Sequence, residues 1–232
     1  MNRNITNIIH FFMDECLPPI IRDNKYFMWP FYFFAYRGKN IKQVMEFKKN
    51  VYQFTSEEYT DFYSGLNTIS RNRLTDINTP SLNFILDNLY KDAGNLLDVG
   101  CGRGYLLKQI KKKYPALKLS GVDVVEKYAS SEFKYIKGNI ENLPFEDKSF
   151  DVVTCCHTIE HIINLDQAIL ELKRITRKQL IIATPCQRYF YYTLDEHINF
   201  FPYREQLTSL INIKEHSCRK ILGDWVYIAE IK

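Results

Sequence analysis

The sequence carries little net charge: 31 basic residues stand against 27 acidic ones, a formal +4 over 232 residues. A nucleic-acid binder concentrates a basic face. Here the basic residues are spread along the chain, and Lys111 to Lys113 read as the solvated side of a helix. The six cysteines, Cys16, Cys101, Cys155, Cys156, Cys186 and Cys218, lack C-x-x-C spacing and the density of a secreted disulfide scaffold. Several lie in apolar runs where a thiol acts as a small hydrophobe, which suits a reducing, cytoplasmic setting. A signal peptide is not expected, because Asp14 and Glu15 interrupt the first apolar segment and no small-residue cleavage site follows. A membrane-spanning run is missing too. The most aromatic stretch, YFMWPFYFFAY from Tyr26 to Tyr36, has eleven residues with Pro30 inside, against the ~20 that a span needs. It is expected to form a buried N-terminal brace rather than an interfacial anchor, or to meet a second subunit in a homodimer. The chain shows no internal repeat and no low-complexity linker.

What is present describes an ordinary globular chain, with 46% hydrophobic and 25% charged residues and enough length to bury a core. Two parts follow different rules. Residues 1–90 read as helices. Ile5, Ile8, Ile9, Phe12 and Met13 recur at helical spacing until CLPP stops them. SEEYTDFYSGL begins at Ser56 as candidate N-cap, and TPSLNFILDNLY at Thr79, with Pro80 in the first helical position. Residues 91–232 alternate instead: NLLDVG, LKLSGVDVV, FKYIKG, SFDVVTCC and KQLIIATP read as strands separated by helices such as Tyr105 to Tyr114 and Leu165 to Ile175. Alternation of this kind predicts an α/β fold, a parallel sheet with helices on both faces. NIKEHSC and DWVYIAEIK, split at Gly223, predict a terminal antiparallel pair.

The first strand runs straight into Asp98-Val-Gly-Cys-Gly-Arg-Gly104 and then a helix, which puts the turn at the carboxyl edge where open α/β sheets bind ligands. Gly100, Gly102 and Gly104 would let a ligand reach the backbone, and the helix start offers unpaired amides. Two readings of the turn alone stand: a ligand cradle, or a tight strand-to-helix connection. The spacing is neither GxxxxGK[ST] nor GxGxxG. Asp98 suits an ammonium group beside a carboxylate. Asp123, about twenty residues on at the end of the next strand, can accept both hydroxyls of a ribose. Asn139 with the backbone of Ile140 can read an adenine edge. Amino-acid head, ribose and adenine, met in chain order, compose S-adenosylmethionine.

LLDVGCGRG, GVDVVE, NLPFEDKSFDVV and CCHTIEHI resemble the successive motifs of class I S-adenosylmethionine-dependent methyltransferases, over Asn95 to about Pro185. The resemblance implies a Rossmann-like seven-stranded, mostly parallel sheet with an antiparallel last strand. It implies S-adenosylmethionine as cofactor and S-adenosylhomocysteine as product. Asp98, Gly100, Cys101, Gly102 and Gly104 would hold the methionine end, Asp123 and Val124 the ribose, Asn139 and Ile140 the adenine, with His157 packing beside the cofactor. Many relatives carry Asp where Asn139 stands; Asn keeps an acceptor for the adenine amino group.

Methyl transfer is an in-line displacement that alignment chiefly accelerates. A hydroxyl acceptor also calls for a general base, usually histidine. His197, in the polar and aromatic insertion after the fifth strand, is the first candidate, and His161 either shares that role or supports the site. Arg188 or Arg204 would hold an anionic acceptor, with Tyr189 and Tyr192 beside it. No metal is expected, nor a nucleic-acid partner, since CCHT stands where DNA amino-methylating enzymes carry a motif such as NPPY. DECLPPIIRDNKYFMWP resembles leaders of small methyltransferases of surface-polysaccharide (capsule) precursors. That resemblance implies O-methylation of a small sugar, nucleotide-linked or phosphoramidate acceptor, with residues 1–90 forming part of a substrate lid. Two alternatives stand beside it: an N-methyltransferase on a small amine, and a non-catalytic S-adenosylmethionine-binding regulator.

Overall fold

The computed structural model describes residues 11–66, 73–125 and 130–231; the spacing of Ile5, Ile8 and Ile9 lies outside them. The chain divides into two compact units, Met1–Arg73 with Gln187–Phe200, and Leu74–Cys186 with Phe201–Lys232. The division therefore falls at Arg73, not at 90, and the insertion after the fifth strand goes with the N-terminal helices. Leu82, Ile85 and Leu89 explain the first difference, because they bury themselves in the core of the sheet.

In the first unit, Phe12–Cys16 makes one wide turn closed by Leu17 N–H on Phe12 O at 3.2 Å. Pro18 then starts a new direction. The helices are α1 (Pro19–Arg22), α2 (Lys25–Ala35), α3 (Ile41–Met45), α4 (Phe47–Asn50) and α5 (Ser56–Gly65). Asn24 caps α2 by accepting from the amides of Tyr26 and Phe27. The cap of α5 is Thr55, with Ser56 one position inside: Thr55 Oγ1 accepts from Glu58 N–H while the Glu58 carboxylate accepts from Thr55 N–H, a reciprocal pair that Ser56 has no glutamate to complete. The insertion stays with these helices because they satisfy its backbone. Tyr32 O–H donates to Thr193 O at 2.6 Å, Lys48 Nζ to Phe190 O at 2.9 Å, and Tyr191 N–H to Asp23 Oδ1 at 2.7 Å. The brace expected from Tyr26 to Tyr36 is buried only along Met28, Tyr32, Ala35 and Tyr36; its other aromatics face outward.

The second unit is α/β: α6 (Thr79–Asp87), β1 (Asn95–Val99), α7 (Tyr105–Lys113), β2 (Lys118–Asp123), β3 (Lys134–Lys137), β4 (Phe150–Cys156), α8 (Leu165–Ile175), β5 (Thr176–Pro185), α9 (Arg204–Ile211), β6 (His216–Ile221) and β7 (Asp224–Glu230). The cap of α6 is Asn78, which accepts from Ser81 N–H, so Thr79 and Pro80 sit one place later than the sequence suggests. The seven strands run in the order β3-β2-β1-β4-β5-β7-β6, parallel except for β7, which pairs antiparallel with both β5 and β6. This is the expected Rossmann-like sheet with its antiparallel last strand. Strand periodicity divides the core in two. Leu97, Leu180 and Ile182 pack under α8 and α9, while Leu96, Ile181 and Ala183 pack under α6 and α7. β4 is buried throughout, as a central parallel strand covered on both faces must be.

Candidate active site

β2 and β4 flank β1 on opposite sides, so the chain order reverses beside β1 and leaves a crevice at its carboxyl end. The glycine turn lies there. Gly100, Gly102 and Gly104 all have positive φ, 72°, 50° and 69°, a region costly for any other residue. Their surroundings separate their roles. A Cβ on Gly100 would lie 2.1 Å from Thr158 Oγ1, and one on Gly104 2.2 Å from the Phe133 ring, so close packing by the protein itself demands both glycines. Only Gly102 faces open space. A ligand reaching the turn backbone would therefore meet it at Gly102.

The acids expected around this turn are both at its rim. Asp98 is buried and accepts from Thr154 Oγ1 at 2.7 Å. Burial, opposed by that hydroxyl and aided by the Asp123 charge, pushes its carboxyl up to about 7. A cationic group placed beside it would draw the proton off. Asp123 ends β2 with both oxygens turned to the loop: Oδ2 accepts from Gly102 N–H at 2.9 Å and Oδ1 from Val125 N–H at 3.1 Å. Val124 follows, half-buried. Cys101 turns its side chain inward, packing against Gly121 of β2, and burial pushes its thiol well up, so its contribution to the rim is backbone alone. Asn139 is exposed just past β3 and its Oδ1 accepts from Glu141 N–H at 3.0 Å, while the side chain of Ile140 joins the core.

His157 is committed to two carboxylates. At the end of β4, in the left-handed conformation, its Nδ1 lies 3.5 Å from Glu160 and its Nε2 3.5 Å from Asp224. Asn78 Nδ2 donates to the same Asp224 at 2.6 Å, tying the start of α6 to the hairpin of β6 and β7. Burial alone would push the imidazole down, but hydrogen bonding and charge from Asp224, then Glu160, carry it up to about 9. A folded value above the unfolded one stabilises the fold fully below the unfolded pKa of about 6.5, and that contribution is lost as pH rises through about 9. Denaturant titrations across this window should lose about 3 kcal/mol, and a His157→Ala variant should lack that slope.

His161, half-buried, belongs to the short turn Ile159–His161 that follows β4, with its N–H on Thr158 O at 3.0 Å. Of the expected acceptor contacts, Arg188 pairs with Glu15 at 3.3 Å in the first unit, and exposed Arg204 bonds its neighbour Glu205 at 3.0 Å at the start of α9 in the second. Tyr189 stands edge-on to Phe200 with centroids 5.1 Å apart, and Tyr192 edge-on to Tyr191 at 4.7 Å. Lys48, which no sequence pattern marks, places its ammonium 4.6 Å from the Phe200 ring centre. Burial pushes it down to about 8 against the pull of Asp195 and Asp23.

His197 is held in the first unit through one ring nitrogen. It is 8% exposed, and its Nδ1 lies 2.6 Å from Gln187 Oε1 and 3.2 Å from Asp195 Oδ2. Gln187 Nε2 donates to Asp195 Oδ2 at 3.2 Å. An ionised carboxylate only accepts, so the amide nitrogen of Gln187 must face Asp195 and its oxygen must face the ring. Nδ1 therefore carries the hydrogen that Gln187 Oε1 accepts. The sequence marks Asp195 as one polar residue among several; Gln187, Thr154 and Thr158 carry no signal, because nothing in their spacing announces a partner.

A sheet of this order, with its chain reversal beside β1, is a doubly wound Rossmann-like fold, and comparisons with known proteins add to it. Residues 97–183 match the family model described as a methyltransferase domain. The chain is 35% identical over 127 residues to the ubiquinone biosynthesis O-methyltransferase of Rickettsia bellii, covering 48% of this chain and 52% of that one. It is 28% identical over 101 residues to the ajmaline N-methyltransferase of Rauvolfia serpentina, covering 38% and 34%. The chain thus spans about half the length, or less, of these curated relatives. Among solved structures, the PH0226 protein from Pyrococcus horikoshii shares the fold with a TM-score of 0.55 at 20% identity, over 74% of this chain and 99% of that one.

Proposed function

We propose that the protein is an S-adenosylmethionine-dependent O-methyltransferase acting on a small polar acceptor. Bound S-adenosylmethionine supplies the electrophilic methyl group. The second unit offers residues that fit it: open space at Gly102, the Asp98 carboxyl poised near neutrality for an ammonium, and two Asp123 oxygens for a ribose. Asn139 and the backbone of Ile140 are assigned to the adenine. The match of residues 97–183 to a methyltransferase domain supports the same reading.

Oxygen as the acceptor atom rests on one observation above others, the locked tautomer of His197. An imidazole held in place through Nδ1 suits a general base for a hydroxyl, whereas an amine arrives with its own lone pair. The name of the Rickettsia relative favours oxygen as well. A cavity of about 620 Å³ in the first unit, lined by Tyr36, Lys39, Gln43, Phe54 and Asp61 among others, has the size and mixed lining that suit a sugar-sized ligand. With the resemblance of Asp14 to Pro30 to leaders of polysaccharide-precursor enzymes, it favours a sugar or nucleotide-linked acceptor.

The test is transfer of labelled methyl from S-adenosylmethionine to a panel of sugars, nucleotide sugars and catechol-like phenols. A labelled ether in any of them supports the reading. Label appearing only on amines would move the assignment to nitrogen. Cofactor binding with no transfer to any acceptor would favour a regulator.

A further inference from the structure

Helix α2 is apolar all round, yet only one side of it is covered. Met28, Tyr32 and Ala35, at i, i+4 and i+7, form the buried stripe. Around the remaining surface Tyr26 is 87% exposed, Trp29 47%, Phe33 42% and Phe34 73%, and no charged residue lies between Lys25 and Arg37. A surface helix ordinarily turns charged and polar residues outward. This one turns out aromatic rings, two of them, Trp29 and Phe33, stacked with centroids 5.4 Å apart. Trp and Tyr combine an apolar body with a polar edge and are favoured where hydrocarbon meets water.

Charge points to the same partner. Positions 22–49 hold seven basic residues against two acidic ones, of which Arg22 and Lys48 turn inward to Met13 O and Phe190 O. Arg37, Lys39, Lys42 and Lys49 are exposed. The turn carrying Arg37 and Lys39 rests on the aromatic face, since a Cβ on Gly38 would lie 3.1 Å from the Phe33 ring. A second copy meeting this face across a two-fold axis would oppose one basic excess to another. An anionic lipid surface complements it. Eleven residues of helix measure about 16 Å, roughly half the ~30 Å hydrocarbon core, and no described helix is long and apolar enough to cross a membrane. Such a helix lies along a bilayer and does not span it.

We propose that the outer face of α2 docks on the surface of an anionic bilayer, with Tyr26, Trp29, Phe33 and Phe34 entering the headgroup region and the Arg37 to Lys42 turn meeting lipid phosphates. The proposal is independent of the reaction assigned above. It is tested by co-sedimentation of the full chain with vesicles of phosphatidylcholine containing a quarter phosphatidylglycerol, and with pure phosphatidylcholine. The wild-type chain should sediment with the mixed vesicles, and high salt should release it. Tyr26→Ser with Phe34→Ser, both exposed and outside the core, should lower binding about tenfold while leaving the thermal melt unchanged. Arg37→Glu with Lys42→Glu should remove the preference for anionic lipid. Equal recovery of wild type and both variants, or no recovery with mixed vesicles, overturns the proposal. So does a dimer in sedimentation equilibrium that Tyr26→Ser with Phe34→Ser dissolves without any loss of lipid binding.

Discussion

His197→Ala is expected to bind S-adenosylmethionine as the parent does and to lose about 100- to 10,000-fold in turnover, the range a positioned general base contributes. The prediction follows from the hydrogen-bond chain Asp195, Gln187, His197, which holds the ring through Nδ1. Because His197 is buried, alanine also strips Gln187 and Asp195 of a partner. Asp195→Asn provides the control: it preserves shape, should spare cofactor affinity, and should slow turnover by a smaller factor. Equal loss of cofactor binding and turnover would make His197 a structural residue.

Asp123→Ala should cost about 100- to 1,000-fold in cofactor affinity by calorimetric titration, from two charge-assisted hydrogen bonds of about 1.5–3 kcal/mol each, discounted for overlap. Part of that loss acts through the protein. Without the carboxylate, Gly102 N–H and Val125 N–H lose their acceptor, and Gly102 is the one glycine of the turn with open space before it. Asp123→Asn keeps one acceptor oxygen and should lose about tenfold. An Asp123→Ala variant with unchanged affinity for both S-adenosylmethionine and S-adenosylhomocysteine would remove the ribose assignment, and with it the main support for this cofactor.

Most of the second unit was legible from local pattern. Strand residues alternate between two core layers, so Leu96 and Leu97, or Ile181 and Ile182, declare a sheet covered on both faces. The helix from Leu165 to Ile175 stands where its periodicity put it. Caps were read one residue late at Thr55 and Asn78, because Thr-Ser and Asn-Thr each offer two adjacent oxygen side chains and only backbone direction chooses between them. The aromatic run from Tyr26 to Tyr36 misled for another reason. Hydrophobicity measures the benefit of burial and does not supply a covering surface, so half of that helix remains exposed.

The sequence by itself determined the alternation of strands and helices, the glycine turn at the end of β1, and the two acids that flank it, since each depends on spacing within some thirty residues. The tertiary structure alone decided the rest. Gly100 and Gly104 exist for Thr158 and Phe133, His157 is held by Asp224 some seventy residues away, and the insertion after β5 joins helices more than a hundred residues before it. Those are contacts between side chains distant in the chain. Their energy depends on close approach, and no local pattern records which distant residue will arrive.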